Sequence, residues 1–131
     1  MSPWRATAMA ATLARMAESP THSAPVRCTV AEARTAPLQP GRQSALLLAH
    51  GSLELRYYAP RGTDTQTPHT RDEVYVVAAG RGWFVRGGER VPFGPGDALF
   101  VAAGDEHRFE DFSDDFATWV MFYGPEGGER A

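Results

Sequence analysis

The run Thr67-Pro68-His69-Thr70-Arg71-Asp72-Glu73-Val74-Tyr75-Val76-Val77 places an imidazole four residues before a carboxylate. In an extended chain, alternate side chains share a face, so His69, Glu73, Tyr75 and Val77 line one side, with Thr67 behind them. A helix would also align His69 with Glu73, but Pro68 and the β-branched Val74, Val76 and Val77 disfavour one. An imidazole and a carboxylate aimed at one point are a metal-site fragment or an acid–base pair. A second segment, Gly96-Asp97 through His107 to Asp111, has a Gly-Asp turn, an apolar run, a small-residue turn at Gly104 and then a histidine opening the next strand. If that strand adjoins the Glu73 strand inside a barrel, His107 completes a two-histidine, one-carboxylate set. Such a set leaves coordination positions open to water or substrate.

These residues need a scaffold of short strands, and the chain from Val26 onward supplies the pattern. Runs rich in Val, Leu, Phe, Tyr and Trp alternate with Gly and Pro. The expected strands are Val26–Ala31, Ser44–Ala49, Leu53–Tyr58, Thr67–His69, Glu73–Ala79, Gly82–Arg86, Arg90–Phe93, Ala98–Val101, His107–Glu110 and Ala117–Tyr123. Turn signals separate them: His50-Gly51, Pro60-Arg61-Gly62, Gly87-Gly88, Pro95-Gly96 and Ala103-Gly104. The pattern predicts an all-β sandwich or barrel over residues 26–131. Residues 1–25 differ. Met1 to Glu18 is rich in Ala, Thr, Met and Arg, and Ser19 to Pro25 contains two prolines. This reads as an N-terminal extension, a disordered tail or short helix ending in a linker. Ala117–Tyr123 is apolar on both faces, so its outer side requires a cover, either another layer or a second subunit. A homodimer is therefore expected.

Composition narrows the classes. A chain of 131 residues is one domain in length, and its 43% apolar and 22% charged residues are ordinary for a globular protein. The net charge of -3 argues against a nucleic-acid binder, and no helix-turn-helix segment is present. No apolar run approaches the roughly 20 residues that span a bilayer. Cys28 has no partner for an internal disulfide, which fits a reducing, cytoplasmic setting and a plain packed thiol. Lysine, asparagine and isoleucine are absent. All three use AT-rich codons, so the Arg-only basic set reflects a GC-rich bacterial genome rather than an anion site. His22 and His50 lie in the head segment and beside a turn glycine and carry no chemistry.

The two chemistry-bearing segments together resemble the motifs of the cupin superfamily, small jelly-roll barrels. The first motif reads Gly-x5-His-x-His-x(3,4)-Glu-x6-Gly. Glu73 followed at its spacing by Gly80 matches its end, His69 falls at the second histidine, and Thr67 stands at the first. The second reads Gly-x5-Pro-x-Gly-x2-His-x3-Asn. Gly96, Gly104 and His107 match, with Ala102 for the proline and Asp111 for the asparagine. The resemblance runs from about Leu46 to Tyr123. It implies a divalent metal ion (Zn, Fe, Mn or Ni) on His69, Glu73 and His107, with the first histidine lost to Thr67. It also implies a small-molecule substrate and oxygenase- or isomerase-type chemistry.

The residues leave two functions open, an enzyme of that kind and a non-catalytic small-molecule binder with a weak or lost metal site. Tyr75 shares the face of Glu73 and Phe109 that of His107, so both are expected to line the pocket, with Thr67 beside the metal and Gln66 as a polar contact from the preceding loop. That loop, Arg61 to Gln66, otherwise reads as flexible surface chain.

Overall fold

In a computed structural model the described residues are 24–130, so the expected N-terminal extension of residues 1–25 lies outside them except for its last two residues. One short helix, α1 (Val30–Thr35), precedes eight strands: β1 (Ala45–His50), β2 (Leu53–Tyr58), β3 (Asp72–Ala79), β4 (Gly82–Arg86), β5 (Glu89–Phe93), β6 (Ala98–Val101), β7 (His107–Glu110) and β8 (Ala117–Tyr123). The strands form two antiparallel sheets, one in the order β1-β2-β8-β3-β6 and the other β5-β4-β7. No described helix is long and apolar enough to cross a membrane.

The core lies between the sheets. Tyr75 and Val77 of β3, Val101 of β6 and Val120 and Phe122 of β8 meet Phe84, Phe93 and Phe109 of the smaller sheet, with Phe116 fully buried among them. Aromatic edges pack on faces here, as between Tyr75 and Phe109 (4.9 Å, 75°) and Phe93 and Phe109 (5.5 Å, 78°). The glycine that closes the first motif has a structural cause. Gly80 sits at φ 86°, and a Cβ there would lie 2.4 Å from the Phe116 Cα, so only glycine lets β3 end against that buried turn. Asp111, at the asparagine position of the second motif, adopts φ 49°, a left-handed conformation that Asn and Asp tolerate best.

Two expected strands are absent. Val26–Ala31 gives way to α1, because Thr29 caps it: its Oγ1 accepts from the Glu32 amide at 3.1 Å. The Thr29 hydroxyl also donates to the Glu32 carboxylate, a local bond set that outweighs the β-like alternation. Thr67–His69 is loop, since Pro68 cannot donate to a ladder and no neighbouring strand pairs with the segment.

The outer side of β8 is partly covered by the chain itself. Ala33 of α1 packs with Tyr57 and Ala117, against which Trp119 also rests, its ring edge-on to Tyr57 at 5.2 Å. Further along, Leu48, Leu55, Met121, Val74 and Phe100 align in register as one apolar row across all five strands, with Phe100 44% exposed.

Candidate functional site

Glu73 is the second residue of β3 and faces inward, 1% exposed, flanked in register by Val101 of β6 and Phe122 of β8. His107 opens β7, which pairs with β4 in the opposite sheet rather than beside β3. The expected adjacency of the two strands is therefore corrected: the side chains meet across the barrel interior, each from its own sheet. The ring is held by Nδ1 at 2.9 Å from the Asp105 carbonyl, so Nδ1 carries the proton and Nε2 is left as a lone-pair donor 3.3 Å from Glu73 Oε1. His69 comes from the loop before β3. Its carbonyl accepts from the Gly104 amide at 2.7 Å, and its ring stands edge-on to Phe122 at 4.8 Å. Its Nε2 lies 3.6 Å from Glu73 Oε2. One ligand atom from each of His69, Glu73 and His107 falls within 4.8 Å of the others.

The electrostatics match the geometry. Both oxygens of Glu73 and Nε2 of His107 are buried with no hydrogen-bond partner, although they are close to one another. These donor atoms, turned toward one another, fit a divalent ion that would satisfy them all. Burial is the largest influence on both imidazoles and opposes their charge. At His69 it prevails over Glu73, and the pKa is lowered. At His107 the nearby Glu73 carboxylate, 3.3 Å away, and the Asp105 carbonyl outweigh it, and the pKa is raised.

Two polar clusters frame the trio. Asp64 fixes the preceding loop to the barrel: its carboxylate accepts from the Tyr58 hydroxyl (2.6 Å), the Gln66 backbone amide (3.1 Å), the Gln66 side-chain amide (2.9 Å) and the Phe109 amide (2.8 Å). The Tyr75 hydroxyl then donates to Gln66 Oε1 at 2.9 Å. Burial, followed by the Asp64 bond, pushes the Tyr58 hydroxyl far up, and burial does the same to Tyr75, so both stay protonated donors. On the other side Asp72 is 4% exposed and accepts from the amides of Ala103 (2.9 Å) and Glu129 (2.7 Å), which hold its pKa down. The Gly127 amide donates to the Thr70 carbonyl, and Arg71 reaches the Gly124 carbonyl and Glu54. The segment from His69 to Glu73 is therefore tied at every residue.

A cavity of about 320 Å³ opens over His69 and Glu73, lined also by Arg42, Gln43, Ser44, Gln66, Thr67, Val120 and Phe122. His69 and Glu73 form its floor. Tyr75 and Phe109 lie behind that floor in the core, 0% and 2% exposed, and Thr67 is an exposed residue of the cavity rim. The sequence reading passed over Asp64, Tyr58 and Asp72. The first has a visible signal, an Asp two residues before a Gln in a loop, which is an Asx-turn pattern.

The cupin-domain family model matches residues 54–123, and the chain belongs to that family. An uncharacterised protein of Streptomyces coelicolor is 41% identical over 64 residues, 49% of this chain and 61% of that relative, so the chain's match spans less than two thirds of it. Among solved structures, a cupin 2 conserved barrel domain protein from Salinispora arenicola is similar at 20% identity and TM-score 0.56, covering 76% of this chain and 88% of that one. KdgF from a Halomonas species is similar at 20% identity and TM-score 0.56, covering 69% and 86%. At this identity the two structures speak for the fold alone.

Proposed function

We propose that the protein is a small metal-binding cupin acting on a small molecule, with oxygenation or isomerisation as the reaction class and His69, Glu73 and His107 as the metal ligands. One observation carries the reading: three buried donor atoms that face one another, two on Glu73 at the cavity and one on His107 beside it, have no hydrogen-bond partner. When bound, the ion (Zn, Fe, Mn or Ni) supplies Lewis acidity, or one-electron chemistry if it is Fe or Mn. The chain's own residues do the rest. Glu73 offsets the ion's charge, and the Asp105 carbonyl keeps the His107 ring in the ligating tautomer. Val120 and Phe122 form an apolar wall that keeps water from one side, while Gln43, Ser44 and Thr65 offer hydrogen bonds to substrate hydroxyls or carbonyls. Arg42 lies on the rim, with no ion-pair partner among the described residues, and its charge reaches His69, which suits a substrate bearing an anionic group.

A second reading, a non-catalytic binder with a weak metal site, is favoured by Thr67, which is exposed and a poor ligand where the family motif has histidine. Elemental analysis of protein purified without an affinity tag separates the two. Stoichiometric Fe or Mn supports the enzyme; protein free of metal, and taking up none on dialysis, would sink it in favour of the binder. We further propose a two-fold homodimer packed on the apolar row from Leu48 to Phe100, since such a row is an unusual surface for a monomer. A cytoplasmic setting fits Cys28, a thiol pushed up by burial and by Glu32 and so unreactive.

A further inference from the structure

We propose that the side-chain carbonyl oxygen of Gln66 is a fourth protein ligand to the metal, taking the place that the family motif gives to a histidine at Thr67. The inference rests on the metal reading above and deepens it. Gln66 Oε1 lies 3.4 Å from His69 Nε2, the same ring nitrogen that faces Glu73 at 3.6 Å. His107 Nε2 lies 3.3 Å from the other carboxylate oxygen, Glu73 Oε1, so the two imidazoles meet the two sides of one carboxylate and Gln66 adjoins the His69 side. Donors about 2.1 Å from a common ion stand about 3.0 Å apart at octahedral and about 3.4 Å apart at tetrahedral angles. The His69–Gln66 contact of 3.4 Å therefore has the size of an edge between two donors of one ion.

The orientation of the amide is forced. Its nitrogen donates to Asp64 Oδ2 at 2.9 Å. Reversing the group would place its oxygen against that carboxylate oxygen, a repulsive contact, so the oxygen must face the cavity. Tyr75 occupies one lone pair of this oxygen at 2.9 Å and holds the group in position, and the second faces His69 Nε2 at 3.4 Å, where an ion bound to that nitrogen would also meet it. Asp64 is in turn anchored by Tyr58 and the Phe109 amide, so the loop arrives at the site already in place. Thr67, one residue on, is exposed with a side chain too short to replace the missing imidazole.

The test uses the full chain freed of metal by chelation, with Co2+ and Zn2+ alone as probes. The readouts are the dissociation constant by calorimetry and the visible absorption of the Co2+ complex. Gln66→Ala should weaken both ions by about tenfold or more and alter the Co2+ bands, as water replaces a protein oxygen. Gln66→Leu, which fills the same space but offers no oxygen, should weaken binding as the alanine does. Thr67→His should change affinity by less than about threefold, because its position is already served. Melting in excess chelator checks that each variant is folded. If Gln66→Ala binds as the wild type does while Thr67→His binds more tightly, the inference is overturned and the metal reading stands. If the wild-type chain binds neither ion, the metal reading itself falls, and this inference with it.

Discussion

Replacing Glu73 by glutamine should make the metal-free protein more stable and the metal-loaded protein less so. Glu73 is 1% exposed and neither oxygen has a hydrogen-bond partner. An ionised carboxylate in such a place costs several kcal/mol after relaxation, while an amide of the same shape left partly unsatisfied costs about 1–3 kcal/mol. The net gain from Glu73→Gln in chelator is then about 1–3 kcal/mol, which for a domain of this size raises Tm by roughly 5–15 °C. The measurement is made across a range of pH, because a proton on His107 compensates the carboxylate and is lost as pH rises. Metal reverses the order. At a hundredfold excess over its Kd an ion stabilises the wild type by about 2.7 kcal/mol, and a variant that has lost its anionic ligand gains little. Calorimetric melts of both proteins, with chelator and with Zn2+, give all four values. If the variant melts lower than the wild type in chelator, Glu73 is satisfied by something other than a cation and the argument from its unpartnered oxygens is wrong.

Acidification should release the metal, because each ligand must give up its proton to bind and His107 holds its proton more tightly than a free histidine. The sign is the reverse for the metal-free fold. The stability from protonated His107 is complete below the unfolded pKa and is lost as pH rises through the raised folded one, so the metal's stabilising effect should grow with pH; a flat dependence between pH 6 and 8 would exclude His107 as a ligand. Gly80→Ala should destabilise by about 3 kcal/mol or prevent folding, since it strains a φ of 86° and drives a Cβ to 2.4 Å from the Phe116 backbone; an unchanged denaturation midpoint would contradict this. Sedimentation at micromolar concentration should give a dimer, and Phe100→Glu, at the exposed end of the apolar row, should shift it to monomer. A wild-type chain that sediments as a monomer would refute that assembly.

The barrel was legible because its strands are short, rich in β-branched and aromatic residues and bounded by Gly and Pro. Seven of the eight, from Leu53–Tyr58 to Ala117–Tyr123, follow the alternation to within one residue at either end, and β1 is displaced by one. The failures have separate causes. At Val26–Ala31 a Thr29-x-x-Glu32 capping box was present in the sequence and local bonds won over alternation. At Thr67–His69 face-sharing was extrapolated past Pro68 into chain that has no ladder to keep its register. The grouping of His69, Glu73 and His107 came from spacing that matches a known pattern, not from strand adjacency, which placed β7 in the wrong sheet. Gln66 was singled out as a polar contact, but the carboxylate that aims it is Asp64, and a polar loop offers no periodicity from which that role can be read.

The knot at Asp72 gives the C-terminal tail a mechanical part in the site. One carboxylate, adjacent in sequence to Glu73, grips the amides of Ala103 and Glu129, and Gly127 grips the Thr70 carbonyl next to His69. The tail therefore acts as a guy-rope on the strut that carries two of the three ligands. Tension or slack introduced near residue 129, by a fused tag or by a protease clipping after Gly124, is transmitted to the position of an imidazole at the far end of that strut. A clipped or tagged preparation with poor metal content would then report on its rigging rather than on the ligands themselves.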